Sequence, residues 1–180
     1  MRSEIFSSHD FILGERHILT IDGPAGAGKT TLAEELARKF VQEGFTVEVI
    51  HMDDLYNGWH DALGESLTQS LKNIVDGYNS GRIHYVKYNW QRGDFSGPIS
   101  LNSPDILILE GVGSGQSAIR SHIFASLWID IEALIALERV IARDGEAIRP
   151  YMEQWQLDQA SHFQHEQTKG AADYQIDGAP

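Results

Sequence analysis

The chain has 180 residues, 42% of them hydrophobic, and a formal net charge of −12. This length and composition suit one globular domain with a sizeable core. The sequence contains no cysteine, which excludes disulfides, thiolate metal sites and cysteine nucleophiles. Its acidic balance argues against a nucleic-acid-binding surface, because such a surface needs a basic stripe.

No stretch of the sequence approaches the roughly 20 apolar residues of a membrane span. The N-terminus is mixed in charge and does not resemble a signal peptide. We therefore expect a cytoplasmic protein with no membrane and no nucleic-acid partner. The sequence leaves the oligomeric state open, a homo-oligomer included.

The first predicted elements enclose a glycine-rich motif. Residues 18–21 (ILTI) are apolar and β-branched, which predicts a strand. Residues 31–40 have helical spacing, with Leu32, Leu36 and Phe40 on one face. Between them, GPAGAGKTT contains the pattern G-x-x-x-x-G-K-T. A motif of this kind between a strand and a helix is typical of a phosphate-binding loop.

The residue types of this loop fit a nucleoside triphosphate. Glycines let backbone N–H groups converge on phosphate oxygens, and the helix that follows adds its positive N-terminal end. Lys29 would reach the β- and γ-phosphates, and the Thr30 hydroxyl would ligate Mg²⁺. The residues expected to bind the nucleotide are Gly23, Ala25, Gly26, Ala27, Gly28, Lys29, Thr30 and Thr31.

Further strands and helices alternate along the chain. Strands are predicted at residues 46–50, 106–109, 127–129 and 174–176, and helices at residues 59–78, 117–125, 132–143 and about 150–169. Residues 82–103 are aromatic and rich in turns, so we expect irregular or hairpin structure there. Asp130 is predicted to cap the helix that follows it. The alternation predicts an α/β fold with a doubly wound, parallel five-stranded sheet flanked by helices.

Carboxylates follow two of the predicted strands. Asp53 and Asp54 come after the second strand, and Glu110 ends the third. Ligands of open α/β sheets bind beyond the carboxyl ends of the strands, so these side chains should lie beside the phosphate loop. There they can hold Mg²⁺, together with Thr30, or accept the proton of an attacking hydroxyl. Away from such a loop, an acidic pair after a strand is often a helix cap or a turn.

Arg139 and Arg143 lie four residues apart on one predicted helix face. Two cations in this arrangement could close over the triphosphate as a lid and stabilise the charge that shifts in the transition state. The alternative is a solvated face that pairs with Glu138 or Glu146, and spacing alone favours this alternative.

Taken together, GPAGAGKTT, MDDLY, ILILEG and R-x-x-x-R-D resemble, in this order and at these separations, the uridine-kinase-like branch of the P-loop kinases. The resemblance covers about residues 18–177. It implies a P-loop NTPase fold in a single domain of residues 1–180, with ATP and Mg²⁺ as cofactors. It further implies an acceptor-binding region at residues 59–103 and a lid at residues 139–149.

The resemblance also implies roles for individual residues. Asp53 matches the base that acts on the substrate hydroxyl near Mg²⁺, and Asp54 matches a variable position, so it is the second choice. Tyr56 matches an aromatic residue of the acceptor pocket. Arg139 and Arg143 match lid arginines over the phosphates and adenine. With Lys29, the expected catalytic residues are thus Asp53 and the two arginines.

A second aromatic element carries the resemblance into the acceptor region. Tyr88-Asn89-Trp90 looks like the Tyr-Asp-aromatic element that lines the nucleoside site of the family. Asn89 replaces its aspartate, and Gly93 stands where uridine kinases have a histidine. Arg92 could meet an anionic substrate. We therefore count Tyr88, Trp90 and Arg92 with Asp53 and Tyr56 as candidate substrate contacts.

The activity implied is ATP- and Mg²⁺-dependent phosphorylation of a hydroxyl on a nucleoside-like small metabolite. The same machinery acting on a sugar acid, pantothenate or nicotinamide riboside is an alternative. A nucleotide-binding regulatory module without phosphoryl transfer is another.

Two patterns near the C-terminus are interpreted as structural. The spacing H-x-x-H-E at His162, His165 and Glu166 matches no zinc motif and predicts a polar helix surface. Three aromatic residues at near-helical spacing predict packing of the last helix onto the sheet, and these are Tyr151, Trp155 and Phe163.

Overall fold

The computed structural model describes residues 11–178, so the ends of the predicted domain, 1–10 and 179–180, lie outside the described part. The strands are β1 (His17–Asp22), β2 (Val47–His51), β3 (Arg82–Asn89), β4 (Asp94–Asn102), β5 (Ile106–Glu110), β6 (Ala125–Asp130) and β7 (Tyr174–Asp177). The α-helices are α1 (Lys29–Gln42), α2 (Glu65–Ser80), α3 (Ala133–Asp144), α4 (Arg149–Glu166) and α5 (Thr168–Ala171).

Five strands form one parallel sheet in the order β2-β5-β1-β6-β7. The chain leaves β1 for the β2 edge, returns to β5, and then crosses β1 to reach β6. This reversal opens a crevice at the carboxyl ends of β1 and β5, where ligands of such sheets bind. β5 (ILILE) is buried along its whole length, as its continuous apolar sequence predicts for a parallel strand.

Helices cover both faces of the sheet. α1 packs its apolar face, including Leu36 and Phe40, against Ile21 on one side. On the other side, side chains of α2 and α4, including Leu71 and Trp155, belong to a second apolar cluster. The predicted α/β fold with a parallel five-stranded sheet flanked by helices is confirmed.

The hairpin of β3 and β4 forms a separate, antiparallel sheet of two strands. Residues 82–103 therefore adopt the hairpin that was one of the two predicted possibilities. The register of the two strands shifts between Val86 and Tyr88. The hairpin follows α2 directly, across Gly81 with a φ of 100°.

Two predicted helices have different bounds in the structure. The helix expected at residues 59–78 begins only at Glu65, because residues 57–63 form turns that include a bridge between Asn57 and Asp61. The segment predicted as a helix at 117–125 is a 3-10 helix that ends at His122, and β6 begins at Ala125.

Two further expectations for the C-terminal part are wrong. The helix predicted at 150–169 is interrupted at Gln167, whose φ of 54° lies in the left-handed region, so α5 is a separate short helix. Asp130 does not cap α3, whose N-cap residue is Glu132. Instead, the Asp130 carboxylate accepts a hydrogen bond from Lys169 Nζ at 2.6 Å, which ties β6 to α5.

None of the helices within residues 11–178 combines the length and the apolar character that a membrane span requires.

Candidate functional site

The phosphate loop joins β1 to α1 at the carboxyl edge of the sheet. Gly28 precedes α1 with a φ of 91°, and the first turn of α1 has neither a capping side chain nor an acidic residue. The N–H groups and the positive end of α1 are therefore available to an anion. A Cβ on Gly26 would lie 2.4 Å from the carbonyl oxygen of Ala136, so this glycine also lets α3 approach the loop closely.

Lys29 is buried within the loop. Its Nζ donates hydrogen bonds to the carbonyl oxygens of Gly23 and Pro24, each at 2.8 Å. Burial lowers the pKa of Lys29, while the carboxylates of Asp22 and Glu110 oppose this shift. The loop thus holds a cation next to the N-terminus of α1, where a phosphate would lie.

Asp22, at the end of β1, anchors the loop and was missed by the sequence reasoning. Its carboxylate accepts backbone hydrogen bonds from Gly23 (2.7 Å), Gly113 (3.1 Å) and Gly115 (2.9 Å). Burial raises the pKa of Asp22 to about 6. The signal available in the sequence was an acidic residue directly after the apolar run of residues 18–21. Asp22 therefore ties the phosphate loop to the segment that follows β5.

Three oxygen-bearing side chains suited to Mg²⁺ line the same cleft. The Thr30 hydroxyl donates a hydrogen bond to Glu110 Oε1 at 3.1 Å, and Asp53 opens onto the cleft from the 3-10 helix after β2. No group of three His, Cys, Asp or Glu side chains within residues 11–178 is placed to hold a metal alone. Mg²⁺ prefers oxygen ligands and usually binds through one or two carboxylates plus phosphate oxygens, so this donor set fits it in company with a nucleotide.

The two carboxylates that line the cleft beside Thr30, those of Glu110 and Asp53, differ in their surroundings. Glu110 is buried, and His51 Nδ1 forms a hydrogen bond with its Oε1, which raises the pKa of His51. The walls of the cleft reduce the solvation of Asp53 and raise its pKa, although Lys29 opposes the shift.

Asp54 faces away from the cleft. Its carboxylate pairs with Lys87 of β3 at 2.8 Å, and it does not contribute to the cleft lining. Of the two adjacent aspartates, the structure thus places Asp53 beside the phosphate loop.

The cleft has a volume of about 450 Å³. It brings together most of the predicted site residues, namely Ala25, Gly26, Gly28, Lys29, Thr30, Thr31, Asp53, Tyr56, Trp90, Glu110, Arg139 and Arg143. Arg143 forms two hydrogen bonds to Asp144, both at 2.7 Å, which raise the pKa of Arg143. Glu138 and Glu146, the alternative partners considered for the arginines, both pair with Arg149.

Four predicted site residues do not line the cleft. Gly23 contributes a carbonyl oxygen to Lys29, and the side chain of Ala27 is buried in the core under α1. Tyr88 packs its ring on Trp90 and Phe95, and Arg92 pairs with Asp94 at 2.9 Å.

Aromatic side chains form the far wall of the cleft, and two of the four, Trp59 and Trp155, were not predicted as site residues. Tyr56, Trp59, Trp90 and Trp155 line this wall, and we call them the aromatic wall. Trp59 lies 5.2 Å from Trp90 and 6.0 Å from Trp155, between ring centroids. Trp155 in turn lies 5.3 Å from Tyr56. These contacts join three distant segments of the chain, so sequence spacing could not predict them.

The aromatic residues of α4 were predicted to pack this helix onto the sheet, and the structure bears this out only in part. Phe163 packs on Trp128 of the sheet, as predicted, but Tyr151 is exposed and stacks on Trp59. His162 is half-buried, with its Nε2 shielded from solvent, and burial lowers its pKa, whereas His165 is exposed as expected.

A further side chain of α4 reaches the loop. Gln159 is buried, and its Oε1 accepts a hydrogen bond from the backbone N–H of Ala25 at 3.0 Å.

Comparison with known proteins adds to this geometry. A family model described as novel STAND NTPase 3 matches residues 2–73, less than half of the chain, including the phosphate loop. No curated protein is significantly similar to the chain.

Solved structures resemble most of the chain. One, described as a possible uridine kinase from Bacillus stearothermophilus, has a TM-score of 0.65 and 20% identity over 93% of this chain and 91% of that chain. Another, a shikimate kinase from Bacteroides thetaiotaomicron, has a TM-score of 0.51 and 14% identity over 90% of this chain and 86% of that chain. The chain thus shares the fold of these two structures, and the predicted resemblance is confirmed at the level of the fold.

Proposed function

We propose that the protein is an ATP- and Mg²⁺-dependent phosphotransferase that phosphorylates a hydroxyl of a small, nucleoside-like metabolite. The observation that carries this proposal is the meeting of the phosphate loop, Asp53, Glu110 and the two arginines of α3 in one cleft. The solved structures named above, a possible uridine kinase and a shikimate kinase, support it through the shared fold. A cytoplasmic location and a single domain belong to the same proposal.

The donor half of the cleft would hold the triphosphate. Loop amides, the N-terminus of α1 and Lys29 would bind the phosphates, and Thr30 and Glu110 would hold Mg²⁺. The metal supplies charge neutralisation on the β- and γ-phosphate oxygens. Arg139 and Arg143 would stabilise the negative charge as it shifts during transfer, and their segment, residues 139–149, would act as the lid.

Asp53 would activate the acceptor. A carboxylate whose pKa is raised is a stronger base, so Asp53 is suited to accept the proton of the attacking hydroxyl. The acceptor would lie between this carboxylate and the aromatic wall, in the region of residues 59–103. A module that only binds nucleotide has no need of a base at this position.

The test is the Asp53→Asn variant, which keeps the shape of the side chain but removes the base. We expect kcat to fall by roughly 10²-fold or more, with the Kd for ATP within about threefold of wild type. Product formation over a panel of acceptors gives kcat, and calorimetry gives the Kd. The panel includes a sugar acid, pantothenate and nicotinamide riboside.

Asp54→Asn is the matched control, because this carboxylate pairs with Lys87 outside the cleft. It should leave kcat close to wild type. A kcat of Asp53→Asn close to that of wild type would show that Asp53 is not the base. ATP binding without a phosphorylated product from any acceptor would instead indicate a regulatory module.

A further inference from the structure

The register of two neighbouring strands places a histidine beside a carboxylate of the cleft. β2 and β5 run parallel, and His51, the last residue of β2, lies opposite Glu110, the last residue of β5. Side chains of residues paired in this way project from the same face of a sheet, on strands about 5 Å apart. The His51 ring therefore reaches Glu110 directly, and its Nδ1 forms a hydrogen bond with Glu110 Oε1.

The surroundings of Glu110 determine how it can bind a cation. Its side chain is buried, and a buried carboxylate is costly unless it has hydrogen-bond partners. Both of its side-chain partners use the same oxygen, because the Thr30 hydroxyl donates to Oε1 at 3.1 Å and His51 also contacts Oε1. An ionised carboxylate only accepts, so Nδ1 of His51 carries the proton of this bond. A cation can thus bind Oε2 without displacing either partner.

Asp53, the other carboxylate beside Thr30, is held differently. Its backbone carbonyl accepts a hydrogen bond from Trp90 at 3.0 Å, but its carboxylate accepts none in the part of the chain that the structure describes. Carboxylates that bind metals are typically fixed by hydrogen bonds of their own, whereas a base must be able to take up a proton. The hydrogen bonds therefore favour Glu110 as the metal ligand and Asp53 as the base.

His51 itself does not line the cleft. It contacts Glu110 from outside the cleft lining, so its effect on a bound nucleotide or metal passes through Glu110. The His51 side chain is 38% exposed, and a substitution there should disturb the packing of the core little.

We infer that His51 is a positioning residue for the metal, because its ring N–H holds the Glu110 carboxylate in the orientation in which Oε2, together with the Thr30 hydroxyl, binds Mg²⁺. This inference rests on the proposed function, since it concerns how the same cleft holds the metal. Loss of such a partner of a metal ligand typically weakens metal binding about 10- to 100-fold. His51 thus sets the affinity for Mg²⁺ without touching it.

The variant His51→Leu tests this inference, because it removes the donor. Calorimetry with a non-hydrolysable ATP analogue gives two Kd values, one with a metal chelator and one with saturating Mg²⁺. Their ratio, which we call the metal gain, should be well above one in wild type and at least about tenfold smaller in His51→Leu. The Kd in the chelator should stay within about twofold of wild type, because loop amides and Lys29 bind the phosphates.

Two further variants show which property of His51 matters. Asn carries its Nδ2 on Cγ, as His carries its Nδ1, so His51→Asn keeps a donor at this position and should recover most of the metal gain. His165→Leu is the control, since His165 is exposed on α4 and does not line the cleft. It should leave both Kd values as in wild type.

The dependence of the transfer rate on Mg²⁺ provides a second measurement. His51→Leu should need at least about tenfold more Mg²⁺ to reach half of its maximal rate, while kcat at saturating Mg²⁺ stays within about threefold of wild type. A direct role of His51 in the chemical step would instead lower kcat at every concentration of Mg²⁺, and would overturn the inference.

The binding results separate this inference from the proposed function. An unchanged metal gain in His51→Leu would overturn the inference, as would a wild-type protein whose Kd does not respond to Mg²⁺. Equal weakening with and without Mg²⁺ would overturn it too, because His51 would then support only the general shape of the cleft. After any of these results, the acceptor panel still decides whether phosphoryl transfer occurs. The expected loss of metal gain without a phosphorylated product from any acceptor would contradict the proposed function alone.

Discussion

At the scale of single residues, Asp22 affects both the stability of the fold and the shape of the cleft. Its carboxylate holds the start of the phosphate loop and the segment after β5 through three backbone N–H groups. A single side chain thus fixes how two parts of the cleft lie relative to each other. It does so from a buried position, where an ionised group is costly.

The raised pKa of Asp22 predicts a pH dependence of stability. Because this pKa rises from 3.8 to about 6 on folding, the native state binds the proton more tightly than the unfolded chain. As the pH rises from about 4 to about 6, the free energy of unfolding should therefore decrease by up to about 3 kcal/mol because of this group. Asp22→Asn should remove that part of the slope, measured by denaturant unfolding across this range.

Asp76→Asn serves as the control, because it removes one negative charge from an exposed position on α2. It should leave the slope as in wild type. An unchanged slope in Asp22→Asn would mean that Asp22 ionises in the native state as easily as in the unfolded chain.

The local motifs explain which site residues could be predicted from the sequence. Lys29 and Thr30 belong to a contiguous pattern, and Asp53 and Glu110 follow apolar strands, so their shared cleft follows from strand polarity alone. Asp22 and Gln159 form their contacts with backbone groups far along the chain, and no spacing rule marks such partners. The resemblance favoured Asp53 over Asp54 from the sequence alone, and the pair of Asp54 with Lys87 outside the cleft is consistent with that choice.

At the scale of secondary structure elements, the contact of α3 with the phosphate loop is set by Gly26. Gly26 has a φ of 85°, and a Cβ there would meet the backbone of Ala136. Arg139 lies on α3 less than one turn beyond Ala136. The approach of α3 to the loop therefore also determines how far one cleft arginine stands from the nucleotide.

The variant Gly26→Ala should displace α3 as well as strain the backbone. We expect a destabilisation of roughly 2–4 kcal/mol and at least about a tenfold weaker binding of ATP, because a positive φ alone costs 1–3 kcal/mol. Gly44→Ala is matched to it, since Gly44 has a φ of 96° but open space around it. That control should show the strain without a change in the Kd for ATP. Equal ATP affinities in both variants would show that α3 does not depend on Gly26.

The predicted and observed elements differ where aromatic residues are involved. The buried strands were predictable because continuous apolar runs of five or so residues form strands in parallel sheets. The early start assigned to α2, at Trp59, came from Leu63, which continues the helical spacing of Leu67 and Leu71 toward the N-terminus. In the structure, Trp59 instead stacks on Tyr151 of α4, and only tertiary packing creates that contact.

At the scale of the whole molecule, the chain combines a five-stranded parallel sheet, covered on both faces, with a separate two-stranded hairpin. At the tip of the hairpin, Trp90 Nε1 donates a hydrogen bond to the backbone carbonyl of Asp53. Most residues of β4 are exposed or half-buried, whereas β5 is buried throughout. Segments with few buried contacts open locally at a lower free energy than core strands.

Hydrogen exchange should therefore separate the two parts. We expect the amides of β4 to exchange at least about 10²-fold faster than those of β5 in the free protein. Saturation with ADP and an acceptor that is phosphorylated in the panel above should slow exchange at the hairpin tip, residues 88–95, because Trp90 lines the cleft, and should leave β5 unchanged. Uniform exchange rates across β4 and β5 would contradict this division, and mass spectrometry of peptides from each strand resolves it.

α4 has contacts in both halves of the cleft. Near its beginning Tyr151 covers Trp59, and eight residues later Gln159 accepts from the Ala25 amide of the loop. These positions are about 12 Å apart along one helix, a length over which a helix is stiff. A rotation of α4 on binding of one substrate would therefore change the strength with which the other is held. Thermodynamic reciprocity would require such cooperativity to be the same in either order of addition.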